Sequence, residues 1–301
     1  MEINGVINVY KEAGFTSHDV VAKMRGILRQ KKIGHTGTLD PDAVGVLPIC
    51  LGRGTRLCDM LADHDKVYEA VLRLGISTDT QDMSGTVLQE REVHVTNEEV
   101  TSCIASFVGE QMQIPPMYSA VKINGKKLYE LAREGKEVER QARKVIFHDI
   151  QILKMDLPNV TIRVHCSKGT YIRTLCNDIG EKLGCGGCME KLLRTRVERF
   201  ELKDAKTLDE IRELVEQGMI TDIIVPIDQM FSDSPAICTT KAGDKLVHNG
   251  NSFSDEFAQM PEDSIKHGRQ VRIYDSEKTF IGIFEKKGHY FAPVKMFYQK
   301  P

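Results

Sequence analysis

Val160, Ile162, Val164 and Cys166 are apolar and alternate with Thr161, Arg163, His165 and Ser167, the period-two pattern of a strand with one buried face. Lys66 to Gly75 repeats the pattern less strictly, with Tyr68, Ala70, Leu72 and Leu74 on one side. Ile3, Val6, Ile7 and Val9 predict an edge or lead-in strand from Met1 to Tyr10, and Leu192 to Arg196 predicts another. Helical spacing follows Ser17, read as a cap, with Val20, Val21, Met24, Ile27 and Leu28 on one face. It recurs over Leu51 to Asp63, with Thr55 as the expected cap, and over Ile172 to Leu183, stopped by Gly184. Two capping boxes, Thr96-Asn97-Glu98-Glu99 and Thr207-Leu208-Asp209-Glu210, open further helices. Pro226 to Pro235 is turn-rich and polar in its second half, and beyond it come short strands at 271–274, 280–284 and 291–294. The pattern predicts a large mixed domain over residues 1–231 and a small β-rich domain over 232–301.

At 301 residues, 41% hydrophobic and 28% charged, the chain has the composition of an ordinary globular protein. No apolar run is long enough to span a bilayer, and Glu2 and Asn4 interrupt any secretory leader, so a cytoplasmic location is expected. The net charge of −2 hides an uneven distribution. From Val20 to Leu39 there is no acidic residue, while Lys23, Arg25, Arg29, Lys31 and Lys32 fall inside that stretch. Such a face suits phosphates, and a solvated helix face is the alternative. A second basic stretch, Lys122 to Lys144, is diluted by Glu130, Glu134, Glu137 and Glu139, and reads as solvated. Of eight cysteines only Cys185 and Cys188 have ligand spacing, and no second pair follows; no metal site is expected.

The basic stretch leads into Gly34-His35-Thr36-Gly37-Thr38-Leu39-Asp40-Pro41-Asp42-Ala43-Val44-Gly45-Val46-Leu47-Pro48. Glycines here permit close approach to a ligand, and Pro41 pushes Asp40 out of the helical region. Read for chemistry, this is a carboxylate on a loop beside a histidine. Read for local structure alone, Asp40-Pro41 is also how a helix begins.

His35 to Gly45 resembles the catalytic motif of the TruB family of tRNA pseudouridine synthases. Four other stretches resemble that family's blocks in the same order: Lys11 to Ser17, with Glu12 where proline is usual; Thr78 to Gly85; Gln113 to Gly135; and Ser167 to Leu175. The resemblance implies an α+β pseudouridine synthase fold, with a mixed, largely antiparallel central sheet, flanking helices and a PUA-like C-terminal module. It implies Asp40 as nucleophile, paired with Arg173, and Tyr68 as the active-site tyrosine that stacks on the target uracil. His35 would fill the space that the base leaves; Tyr171, Lys11 and Leu193 would also bind substrate. An insertion at about 113–140 would close over the T-arm of tRNA. The implied reaction converts uridine 55 of the TΨC loop to pseudouridine, by a monomer, without cofactor or metal, because the isomerisation is redox-neutral. A non-catalytic tRNA-binding protein and a guide-RNA-dependent synthase are the alternatives. The first would not need Asp40 and Arg173 together, and the insertion resembles the stand-alone branch. A glycosidase using Asp40 and Asp42 is disfavoured, because carboxylates two apart on a tight loop do not oppose one another across a sugar.

Overall fold

The computed structural model describes residues 2–123, 125–259 and 265–300. The expected first strand is Gly5–Lys11 (β1), and Met1 lies outside the described residues. Helix α1 runs Ser17–Leu28, but its cap is Thr16 rather than Ser17. The Thr16 hydroxyl accepts from Asp19 N at 3.1 Å while the Asp19 carboxylate accepts from Thr16 N at 2.8 Å, a capping box shifted one residue from the expected position. Ser17 is thereby left for another use. Val20, Val21 and Met24 are buried, and all five cations of the first basic stretch are exposed.

Strands β2 (Val44–Leu51) and β3 (Lys66–Leu74) follow, then β4 (Arg143–Asp156), β5 (Asn159–Cys166), helix α2 (Ile172–Lys182) and β6 (Gly187–Val197). Their hydrogen-bonded order is Ile224–Val225, β1, β2, β6, β3, β5, β4 and Gly109–Gln113. The predicted alternation places Val160, Ile162 and Val164 in the core of β5, each contributing about 1.5–3 kcal/mol by burial. Both capping boxes open helices as expected, at Asn97–Ala105 and Leu208–Glu216. Leu51 to Asp63 does not form one helix. A 3-10 turn, Gly52–Leu57, precedes a short helix, Cys58–Ala62. Gly52 and Gly54 press on the backbone of Ile3 and Gly5, and the Thr55 hydroxyl bonds back to Gly52 O at 2.8 Å instead of capping.

Among the described residues, one pairing in this sheet is parallel, β2 beside β6, and it covers only Val44 with Leu193 and Gly45 with Arg194. A Cβ on Gly45, whose φ is +109°, would collide with the Arg194 carbonyl oxygen. Glycine is required there for strand approach. This short contact sets Leu193 and Arg194 beside the end of the loop that carries Asp40.

The C-terminal unit is a six-stranded sheet that includes Gln270–Tyr274, Phe280–Lys287 and Tyr290–Met296, longer versions of the three expected strands. The period-two reading missed its first strand, Ala236–Thr239, and the helix Lys241–His248. Ile283 and Phe297 of this unit pack with Val6, Val46, Cys50 and Leu57, so the unit rests on the back of β1 and β2.

Candidate active site

The Asp40 segment is a loop, not a helix start. Ile33–His35 is a short strand, residues 36–43 are irregular, and β2 takes over at Val44. Three buried groups clamp the loop. The Lys11 ammonium, fully buried, donates to Pro41 O at 2.8 Å, Ala43 O at 2.5 Å and Glu12 O at 3.1 Å. The Ser17 hydroxyl accepts from Leu39 N at 2.9 Å. The Arg194 guanidinium donates to Val46 O at 2.7 Å and Gly37 O at 3.4 Å, tying the two ends of the loop together. Leu39 and Ala43 meanwhile point into the main core.

On this platform Asp40 meets Arg173, 133 residues away in sequence. Arg173 Nε lies 3.0 Å from Asp40 Oδ2 and Nη2 lies 3.2 Å from Oδ1, a two-pronged ion pair. The same guanidinium donates to Tyr118 O at 2.8 Å and Thr80 O at 3.2 Å, and lies 3.5 Å from Asp82. Arg173 is buried at the first turn of α2, a helix end that disfavours cations, and these acceptors are the reason that it sits there. Gln113 steadies that turn: Tyr171 N donates to its Oε1 at 2.8 Å, and its Nε2 donates to Tyr171 O at 3.0 Å. Burial pushes Asp40 above the usual carboxylate range, and Asp82 and Asp42 add to the push, while Arg173 and Lys11 oppose it.

The pair opens on a cavity of about 1250 Å³. That exceeds the few hundred Å³ that a small ligand needs and suits a length of polymer. Asp40, Asp82, Arg173 and Leu193 line it from the sheet side, and Tyr118, Lys127, Tyr129 and Arg133 line it from the insertion. The Tyr129 ring carries Lys127 Nζ at 5.3 Å and Arg133 Cζ at 5.4 Å from its centroid, which suits an unpaired base and its phosphate. The second basic stretch therefore divides. Lys126 and Lys136 pair with Glu134 in solvent, as read from the sequence, whereas Lys127 and Arg133 face the cavity, and Arg140 is half-buried, pairing with Glu137 at 3.1 Å and donating to Pro115 O at 3.3 Å.

The structure separates the remaining sequence candidates by position. Lys11 and Tyr171 do not line the cavity: the Lys11 charge is used up by loop carbonyls, and Tyr171 is half-buried at the cap of α2. Tyr68 is also outside the lining. It is buried with Leu39 and Ala43 in the main core. His35 is half-buried and meets His18 edge to face at 5.2 Å; burial lowers it to about 4, so it is neutral near pH 7. His18, which does line the cavity, was missed, as were Asp82, Gln113 and Arg194. Asp82 lies in the Thr78 to Gly85 loop that was read as an Asx turn, and its Oδ1 does accept from Ser84 N at 3.0 Å. Cys185 and Cys188 are buried, the first bonded to Gly186 O and the second against the Met83 sulfur.

Lys11→Met keeps the volume and removes the donor from three carbonyls, at about 1–3 kcal/mol for each left unsatisfied. A urea titration should show a loss of several kcal/mol, while Lys23→Met on the exposed face of α1 stays within about 0.5 kcal/mol of the parent.

Residues 25–172 match the family model described as TruB family pseudouridylate synthase (N terminal domain), and residues 173–232 match the tRNA pseudouridylate synthase B C-terminal domain. A protein of Lachnoclostridium phytofermentans named tRNA pseudouridine synthase B is 52% identical, covering 98% of this chain and 100% of its own length. One of Alkaliphilus oremlandii with the same name is 47% identical over 93% of this chain and 92% of its own. Among solved structures, a chain from a Cbf5-Nop10-Gar1 complex superposes with a TM-score of 0.73 at 28% identity, covering 98% of this chain and 85% of that one. A chain from an H/ACA RNP bound to a substrate RNA containing 2'-deoxyuridine gives 0.72 at 25% identity, with the same coverage. The carboxylate loop, its arginine partner and these matches over nearly the whole length agree: the chain belongs to the TruB family of pseudouridylate synthases.

Proposed function

We propose that this chain isomerises uridine to pseudouridine in tRNA, at position 55 of the TΨC loop, acting as a cytoplasmic monomer on the T-arm. The observation that carries this reading is the two-pronged Asp40–Arg173 pair on the wall of a polymer-sized cavity. The reaction breaks the bond from ribose C1′ to uracil N1, turns the base, and joins C1′ to C5. The C5 proton leaves and N1 gains one, so electrons balance without an outside oxidant or group donor. Asp40 supplies the anion that attacks C1′ or the ring, and Arg173 holds it ionised and aimed. The target base must leave its stack to reach the carboxylate. Leu193 and the insertion ring of Tyr129 lie along the cavity that would receive it. Tyr68, buried one step behind the loop with Leu39 and Ala43, is the residue that would stack on the base once it has entered, and would take part in removing the C5 proton. His35, on the strand leading into the loop, is neutral, and it would fill the space that the base leaves by exchanging its contact with His18.

Affinity would come from phosphate contacts that carry little sequence information. Lys23, Arg25, Arg29, Lys31 and Lys32 are all exposed, on α1 and the turn that leads toward the Asp40 loop, and the C-terminal unit would extend the RNA surface as a PUA-like module. Pseudouridine mapping on an unmodified tRNA transcript tests the function: modification confined to position 55 supports it, and none in tRNA overturns it. Neutralising two cations of α1 should flatten the salt dependence of tRNA binding by about two units of log–log slope. Turnover at saturating tRNA should stay as it was. An unchanged slope would make that face merely solvated.

The matched structures belong to assemblies that their titles describe as Cbf5-Nop10-Gar1 and H/ACA RNP, which keeps guide-dependent action as the second reading. The residues of this segment that line the cavity, Tyr118, Ala120, Lys127, Tyr129 and Arg133, belong to the chain's own insertion and favour action without a guide.

A further inference from the structure

Asp65, His148 and His165 come from three segments and converge on the rim of the sheet. His148 Nε2 lies 3.1 Å and His165 Nε2 lies 3.9 Å from the same Asp65 oxygen, and the three ligand atoms lie within 4.8 Å of one another. Ligands bound to one zinc-sized ion at about 2.0–2.1 Å sit roughly 3.3 Å apart, so small side-chain shifts close this set around an ion. Among the described residues it is the one grouping of three or more such side chains.

A break in strand register produces the arrangement. In β4 the register against β5 shifts between Phe147 and Asp149, which pair with Cys166 and His165. His148 is the extra residue of this bulge, and it turns out of the ladder to stand beside His165, with ring centroids 4.7 Å apart. Bulges re-aim side chains in this way. Asp65 is held where β3 begins, its carbonyl accepting from Glu198 N at 3.3 Å. Nearby cations do not occupy its carboxylate. Lys168 pairs with Asp63 at 2.8 Å, and Lys66 donates to the carbonyls of Ala62 and His64. Its partners among the described residues are the two imidazoles.

We propose that Asp65, His148 and His165 bind one divalent transition-metal ion of the zinc, cobalt or nickel class. Two imidazoles and one carboxylate, with no thiolate, suit these ions better than calcium or magnesium. The imidazoles are 34% exposed and the Asp65 side chain 48%, so the remaining coordination positions open to water. His165 shares its face of β5 with Thr161, which lines the Asp40 cavity four residues away, about 13 Å along the strand. The ion is thus outside the reaction chamber, and it adds positive charge to the same face.

The test is a cobalt titration of the full chain, stripped with chelator and carrying no polyhistidine tag. One ion per chain should bind saturably, with visible bands of a nitrogen- and oxygen-ligated ion. His148→Gln and His165→Gln should each weaken binding by about tenfold or more, with circular dichroism unchanged. Asp65→Asn, which keeps the shape, should do the same. His94→Gln, an exposed histidine elsewhere, should leave affinity unchanged. Failure to saturate, equal affinity in the three site variants, or thiolate-to-cobalt charge-transfer absorption would overturn the proposal.

Discussion

Asp40→Asn should lower turnover by about 10⁴-fold or more while tRNA affinity stays within about tenfold of the parent. The substitution keeps the size of the side chain and removes the negative charge, which is the property that the reaction uses. The loop should survive, because it is held by Lys11, Ser17 and Arg194 through backbone atoms and by Leu39 and Ala43 in the core. None of these contacts uses the Asp40 side chain. Single-turnover mapping of pseudouridine, beside a filter-binding titration, separates the two quantities. Residual turnover within about tenfold of the parent would remove Asp40 from the chemistry, whereas a parallel collapse of binding would make it a structural residue.

The second large effect belongs to Arg173. It pairs with Asp40 by two prongs and also holds Tyr118 and Thr80, so it sets the charge state of the nucleophile and the position of the cavity roof. Arg173→Gln should cost about 10²–10³ in turnover, the size of effect seen when one charge-stabilising donor is lost. The pH profile gives a sharper signature. Burial already pushes Asp40 above its ordinary value, and the active form is the ionised one, so activity is lost as pH falls through that raised value. Removing the guanidinium takes away the main opposing influence, and the acid limb should move to higher pH. Arg173→Lys keeps the charge without the fork, so it should move the limb less than Arg173→Gln while losing much of the rate. An acid limb that stays in place in Arg173→Gln would mean that another group controls the ionisation.

What the sequence revealed, and what it hid, divides by the range of the interaction. The β5 alternation and the boxes at Thr96 and Thr207 are local, and each appears where expected. The helix expected at Leu51 to Asp63 failed because Gly52 and Gly54 answer to the distant backbone of Ile3 and Gly5. The short helix Lys241–His248 presents Gly243 and Val247 as its buried positions, too few for a periodicity to show. Asp40 and Arg173 were legible through motif resemblance, not spacing, since 133 residues separate them. Lys11 and Arg194 illustrate the opposite case. Each is a fully or nearly fully buried cation whose partners include loop carbonyls, and every sequence offers carbonyls everywhere. A rule that places Lys and Arg at the surface gives no warning of either. Composition likewise could not tell Lys127 and Arg133, which face the cavity, from Lys126 and Lys136, which do not.

The central claim is isomerisation in place, with Asp40 as the anion and no base released. Its most direct test uses a tRNA transcript carrying tritium at uridine C5, incubated with the purified chain in the presence of chelator. One tritium per tRNA should pass to water, at the rate at which pseudouridine appears at position 55, with no free uracil and no release by Asp40→Asn. Free uracil accompanying the tritium would contradict the account and make the chain a glycosidase, and tritium retained in RNA that gains no pseudouridine would leave it only a binder.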